Sequence, residues 1–293
     1  MTLEDYRRFY AEEIRMVAGV KSTSLVEAYA RVPREQFLGM APWQVASPDI
    51  AVMTLMGLPG PAYSPTTDPR DLYHNVLIAL DPVRKLNNGQ PSALARWIDT
   101  LELKPGDRVY HLGCGVGYYT AIMAEVVGAS GRVYASEVDL GLAARARENL
   151  AAYPNVSVHA GDGAAFDPGV CDAIFINAGV THPHLAWLDR LSHHGRLLLP
   201  LTLDAIGSGV MARITRSGKG FSARIMTMVG IYPCTSVRDP EMSEAISKAL
   251  ANRTLLKLNS VRIDPHQPDE TCLAHRPDVC LSLADPPSIE KTI

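Results

Sequence analysis

A chain of 293 residues is long enough for one large domain or for a domain with substantial additions. Its 47% hydrophobic and 20% charged fractions are those of an ordinary soluble globular protein, and a net charge of -3 gives no global basic field for nucleic acid or an anionic membrane surface. Five cysteines, odd in number and widely spread (Cys114, Cys171, Cys234, Cys272 and Cys280), suit reduced thiols in a cytoplasm better than a disulfide framework.

The N-terminus, MTLEDYRRFYAEEIR, is charged throughout and lacks the apolar core of a signal peptide. Leu3, Tyr6, Tyr10, Ile14 and Val17 recur at helical spacing, so a helix is expected over 3–18, ended by Gly19. Ser24 and Glu27 form a capping-box pattern that opens a second helix, stopped before Pro33. From Phe37 to Asn88 the chain is rich in Pro and Gly and reads as long loops with short elements. Such loops either cover a site or form a surface insertion. Its longest apolar run, IAVMTLMGLPGPAY, is broken by Gly57, Pro59, Gly60 and Pro61 and is too short to span a bilayer.

After Pro91 the pattern changes. SALARWIDTLEL reads as a helix, KPGD as a turn and RVYHL as a strand; a glycine loop and the helix YYTAIMAEVV follow. GRVYASE is a second strand, Leu140 to Ala152 a second helix, VSVHA a third strand and CDAIFIN a fourth. The helix HLAWLDRL and a fifth strand, GRLLLP, come next. GVMARIT and FSARIMTMVGIY, separated only by RSGKG, read as a hairpin. Strands alternating with helices indicate an α/β protein with a doubly wound, mostly parallel sheet that ends in an antiparallel hairpin. The expected divisions are 1–90 (helices and loops, covering a substrate site), 91–235 (the sheet domain) and 236–293 (a C-terminal extension).

VYHLGCGVGYYT, Val109 to Thr120, places Gly113, Gly115 and Gly117 where a strand turns into a helix. Glycine there lets a ligand approach without a Cβ in the way, and amides at a helix N-terminus favour a polar or anionic group. The dinucleotide fingerprint requires glycine at its first, third and sixth positions, and the sixth position counted from Gly113 is Tyr118. No Gly-Lys-Ser/Thr follows, as a Walker loop requires. Glu137 ends the second strand, placed to accept hydrogen bonds from a ribose diol, and AGDG puts Asp162 at the end of the third. All three features fall at the carboxyl ends of strands, where open α/β sheets bind ligands, and together they indicate a nucleoside site. A ligand-free turn flanked by two solvated acids is the alternative.

This set resembles class I S-adenosylmethionine-dependent methyltransferases. The run LELKPGDRVYHLGCGVGYYTAIMAEVVGASGRVYASEVD, followed by NVSVHAGDGAAFDPGVCDAIFINAG and LSHHGRLLLPL, is similar to protein-L-isoaspartate O-methyltransferases, as is RVPREQF upstream. The resemblance implies a Rossmann-like, seven-stranded sheet and S-adenosylmethionine as cofactor. It implies that Gly113, Cys114, Gly115 and Gly117 line the methionine end, that Glu137 beside Val138 holds the ribose, and that Asp162 and Gly163 border the adenine. His111 and Asn177 complete the expected set. Where the family carries a glutamate in the first strand's signature, this chain has His111, either a neutral acceptor for the cofactor's amino end or a core residue bonded to a backbone carbonyl. The family's Thr-Ile-Ser segment before a Pro-headed helix falls on Asn87, Asn88 and Gly89, with Gln90 next, so its serine hydroxyl is missing. These four residues are candidates to contact substrate; NNGQP is also an ordinary turn into a helix.

The expected reaction is methyl transfer to a carboxylate of a protein or peptide in the cytoplasm, with no nucleic acid or membrane involved. A carboxylate is already ionised at neutral pH and needs no general base. A phenol or amine would need one, for which His74, His182 and His184 are candidates. A small-molecule acceptor and a non-catalytic cofactor-binding protein are the alternatives. In the tail, Glu241 to Leu250 reads as a helix and LLKLNSVRI as a strand. His266, Cys272, His275 and Cys280 lie close together but match no standard zinc-finger spacing; they read as strand ends, with a metal site as the alternative, and no metal is assigned.

Overall fold

In a computed structural model of the chain the described residues are 1–46, 63–203, 208–218 and 220–286. The apolar run from Ile50 therefore lies, apart from Tyr63, outside the described residues. In chain order the first elements are α1 (Leu3–Ala18), α2 (Thr23–Arg31), β1 (Trp43–Ala46), β2 (Ser64–Thr66), β3 (Leu77–Asp81) and β4 (Leu86–Asn87). Then come α3 (Pro91–Asp99), β5 (Arg108–Leu112), α4 (Tyr118–Val127), β6 (Arg132–Glu137), α5 (Leu140–Asn149), β7 (Val156–Ala160), β8 (Cys171–Ile176) and α6 (Leu185–Asp189). The last are β9 (Leu191–Thr202), β10 (Ser208–Ser217), β11 (Gly220–Gly230), α7 (Pro240–Ala251), β12 (Ser260–Arg262), β13 (Cys272–His275) and β14 (Cys280–Ser282). The chain divides into two compact units, Met1–Asp107 with Cys114–Ala160, and Arg108–Gly113 with Gly161–Ile293.

In the first unit α1 opens with a complete capping box between Thr2 and Asp5 and closes on Gly19, as its spacing predicts. The second helix starts earlier than expected. Its cap is Ser22, whose hydroxyl accepts from Leu25 N, not Ser24. The reason is tertiary: the Asp99 carboxylate accepts from the backbone N–H groups of Lys21 and Ser22 and fixes the chain two residues ahead. The segment read as long loops contains a small antiparallel sheet in the order β2-β1-β3-β4. Its apolar face rests on Leu38, Leu72 and Ile78, with Trp43, Val45, Val76 and Leu80 packed against them. Arg34 is fully buried beneath it and donates to the carbonyls of Leu72, His74 and Val76. In the same unit β6 and β7 pair in parallel, Glu137 opposite Ala160.

In the second unit β5, β8 and β9 are parallel neighbours. β9, β10 and β11 continue the sheet antiparallel, so the expected hairpin is present. The C-terminal extension adds β12, β14 and β13 to the free edge of that hairpin. LLKLNSVRI forms a strand only over Ser260–Arg262; its first half is a 3-10 turn, Thr254–Lys257. Among the described residues no helix is long and apolar enough to cross a membrane.

Candidate active site

The glycine loop contributes to both units, divided in sequence between Gly113 and Cys114. In the first unit the loop folds back on β6: Cys114 N donates to Ser136 O at 3.1 Å, and Gly117 N to Cys114 O at 2.9 Å. Gly117 has φ +92°, and a Cβ there would lie 2.7 Å from Leu150 Cδ1, so this position admits only glycine without movement of Leu150. A Cβ on Gly115 would meet nothing within 4 Å, which leaves the loop open to a ligand at that point. Cys114 is buried, which pushes its thiol up and keeps it neutral.

Glu137, only 8% exposed, is the acid at the end of β6. Its Oε2 accepts from Gly115 N at 2.8 Å and its Oε1 from Asp139 N at 3.1 Å. Burial raises its pKa from the ordinary carboxyl value, and those backbone donors oppose the rise. A carboxylate has about four lone-pair sites, so acceptor capacity remains for a diol. Val138 beside it is half exposed. Asp139 caps α5 through Leu142 N and pairs with Arg84 at 2.6 Å. Neither Asp139 nor Arg84 stood out in the sequence. An Asp two residues past the strand end, just before a helix, is the signal that would have found the first.

The segment aligned with the family's substrate motif is a built turn in the same unit. Asn87 Oδ1 accepts from Gly89 N at 2.8 Å, and Asn88 N donates to Ile78 O at 2.9 Å. Gly89 has φ +75°, and a Cβ there would stand 3.0 Å from Leu94 Cδ2. Tyr119 Oη donates to Gly89 O, and Gln90 Nε2 to Ser92 Oγ, beside the Pro91 start of α3. Asn88 is 7% exposed, and its Nδ2 has no hydrogen-bond partner among the described residues. His74 is exposed, its carbonyl held by Arg34.

In the second unit Asn177 N donates to Leu112 O at 2.8 Å, and its side-chain amide to Gly113 O at 3.2 Å, fixing the end of β5. His111 is fully buried and stacks on Phe175, with ring centroids 5.2 Å apart and planes 3° from parallel. Burial pulls its pKa down to about 3, so the ring is neutral. Asp162 Oδ1 accepts from Ala164 N and from Ser236 Oγ, both at 2.9 Å, while Gly163 O accepts from Tyr110 Oη at 2.7 Å. Asp162 borders an open cleft of about 460 Å³ whose walls include His182, His184, Ser236 and Arg276. His182 is buried against Thr181 Oγ1, and burial, with Arg276 nearby, pulls its pKa down to about 4.

The sequence model of the protein-L-isoaspartate(D-aspartate) O-methyltransferase (PCMT) family matches residues 62–238. The chain belongs to this family. It is accordingly an S-adenosylmethionine-dependent methyltransferase. A protein-L-isoaspartate O-methyltransferase from Methylorubrum extorquens is 32% identical over 227 residues, 75% of this chain and 85% of the relative. Another, from Ignicoccus hospitalis, is 35% identical over 147 residues, 49% of this chain and 69% of the relative. Among solved structures, one from Plasmodium falciparum assigned as a PCMT, in complex with S-adenosyl-L-homocysteine, superimposes with a TM-score of 0.59. At 16% identity it covers 78% of this chain and 98% of its own, and it shows that the fold is shared. The PCMT-like fold is the Rossmann-like α/β arrangement that the sequence indicated.

Proposed function

We propose that this PCMT-family chain methylates a carboxylate of a protein or peptide, with S-adenosylmethionine as donor. The observation that carries this reading is Glu137, a buried carboxylate held by Gly115 N–H and Asp139 N–H with acceptor capacity to spare. The residues fit the cofactor. Gly115 leaves open space where a Cβ would stand, and Glu137 offers lone pairs to ribose hydroxyls. In the first unit Cys114, Gly115 and Gly117 take the methionine end, while Glu137 and Val138 take the ribose. In the second, Gly113 and Asn177 support the loop, and Asp162 and Gly163 take the adenine side. His111 acts as a neutral packing group on Phe175, placing no positive charge beside a cationic donor.

The cofactor, when bound, supplies an electrophilic methyl on a sulfonium. The chain's own residues then have only to orient an already ionised acceptor and exclude water. Asn88 Nδ2, buried and without a partner among the described residues, is available to donate to the acceptor carboxylate, with Asn87 and Gln90 framing the turn. No general base is needed, so His74, His182 and His184 have no assigned proton to take. The cysteines described are all free thiols, which fits a reducing cytoplasm.

Gly89 favours a second reading, a small-molecule acceptor, because its left-handed backbone and its closeness to Leu94 fit glycine and not the family's serine. Transfer of labelled methyl from S-adenosylmethionine to an isoaspartyl peptide and its aspartyl twin separates the two. Base-labile label on the isoaspartyl peptide alone supports the first reading. Cofactor binding without label on either peptide supports the second.

A further inference from the structure

The C-terminal extension gathers four donor residues that the family match, which ends at residue 238, does not reach. Cys272 and His275 are the two ends of β13, Cys280 begins β14, and His266 reaches in from the loop before them. His275 and Cys280 are cross-strand partners. One ligand atom from each of the four residues lies within 4.8 Å of every other, and Cys272 Sγ is 3.7 Å from His266 Nε2. Zinc–sulfur and zinc–nitrogen bonds of about 2.3 and 2.0–2.1 Å give tetrahedral ligand–ligand separations of roughly 3.3–3.8 Å, so the cluster needs only a small contraction. In sequence these residues read as strand ends; in the structure the strand ends themselves bring the donors together.

We propose that His266, Cys272, His275 and Cys280 bind one zinc ion tetrahedrally as a structural site. The surroundings are arranged as such sites require. His266 Nδ1 donates to Asp264 O at 2.7 Å, which selects the tautomer whose Nε2 lone pair faces the cluster. His275 Nδ1 is buried without a hydrogen-bond partner among the described residues, the state expected of a nitrogen waiting for a metal. Asp269 N points at Cys272 Sγ from 3.4 Å, a donor suited to a thiolate. Arg262 pairs with Asp264 at 3.1 Å and Asp269 at 2.8 Å, which ties down both ends of the loop that carries His266. Two thiolates and two neutral imidazoles make a neutral Cys2His2 complex, so uptake of Zn²⁺ by two thiols releases two protons to solvent. Four protein donors leave no open position, which makes the ion structural and not catalytic.

The ion has a task in the fold. The turn between β13 and β14 is closed by Arg276 N to Val279 O at 2.9 Å. Arg276 in turn pairs with Asp239, the cap of α7, and lines the cleft that Asp162 borders. Zinc would thus clamp a three-stranded extension of 3-, 4- and 3-residue strands, too short to hold one another unaided, and set Arg276 at the cleft wall.

The test is elemental analysis of the full chain purified with reductant and without chelator. About one zinc per chain is expected, and the isolated Cys272→Ser/Cys280→Ser double variant should hold less than a tenth of that. Cobalt substitution should give the visible bands of a tetrahedral thiolate site. His266→Cys should keep the metal and intensify the thiolate-to-cobalt band, a change that misfolding would not produce. Cys234→Ser, outside the cluster, should keep full zinc content. Zinc below a tenth of an equivalent with no cobalt spectrum, stoichiometric iron instead, or a Cys272–Cys280 disulfide in the reduced preparation would overturn the proposal.

Discussion

His111 and His182 are both buried imidazoles, and burial is the main reason that both have their pKa pulled down, to about 3 and about 4. In the unfolded chain each titrates near 6.5, so between that pH and the folded value the unfolded state binds more protons. Stability then rises with pH, and it is lost as pH falls below about 6.5, by up to about 1.4 kcal/mol per pH unit for each histidine. The predicted outcome is a denaturation midpoint that drops from pH 7 to pH 5. His111→Phe, which preserves the stack on Phe175 and removes a titrating group, should flatten the decline by about half. An unchanged slope in that variant would show that His111 is not the neutral core group described. Its sequence position left both readings open, because the same histidine could face the core or a ligand; its burial and the 3° stack on Phe175, across paired strands, favour the core reading.

At the scale of elements, the turn Asn87–Gln90 is the place where the chain departs most from its family. Gly89→Ser would restore the hydroxyl in sequence but not in geometry, since a side chain at φ +75° is strained and its Cβ presses on Leu94. Equilibrium denaturation should find the variant about 1–3 kcal/mol less stable, with no gain in methylation of isoaspartyl peptide. A variant as stable as the native chain and more active would mean that the turn readily adopts the family conformation. Elements with strong local signals were legible beforehand: α1 from its spacing and Gly19, α4 from the glycines before it and Gly128 after it. The β1–β4 sheet was not. Its strands are two to five residues long, and their pairing depends on partners distant in sequence, such as Val45 with Ile78. Nor was the role of Arg34 within RVPREQF, because its three carbonyl partners come from residues 72–76 and only folding brings them to it. The start of α2 was misplaced for the same reason, with Asp99 selecting Ser22 over Ser24.

For the whole molecule, the alternation of strand and helix after Pro91 was enough to identify the α/β class, and the glycine loop with its two acids is where we propose that the cofactor binds. Of the C-terminal strands, Ser260–Arg262 was read within LLKLNSVRI, while β13 and β14 were read only as strand ends, because four and three residues are too short to carry a period. In the proposed cofactor site Glu137 is the principal anchor. Its two oxygens accept from two backbone N–H groups, so Glu137→Gln would turn an amide donor toward one of them and remove the charge at once. The most direct measurement is calorimetric titration of S-adenosylmethionine into the native chain and into Glu137→Gln, each shown to be folded by circular dichroism. Binding at least about tenfold weaker in the variant, or roughly 1.4 kcal/mol, is the predicted result. Equal affinity in the two proteins would contradict the placement of the cofactor at Glu137.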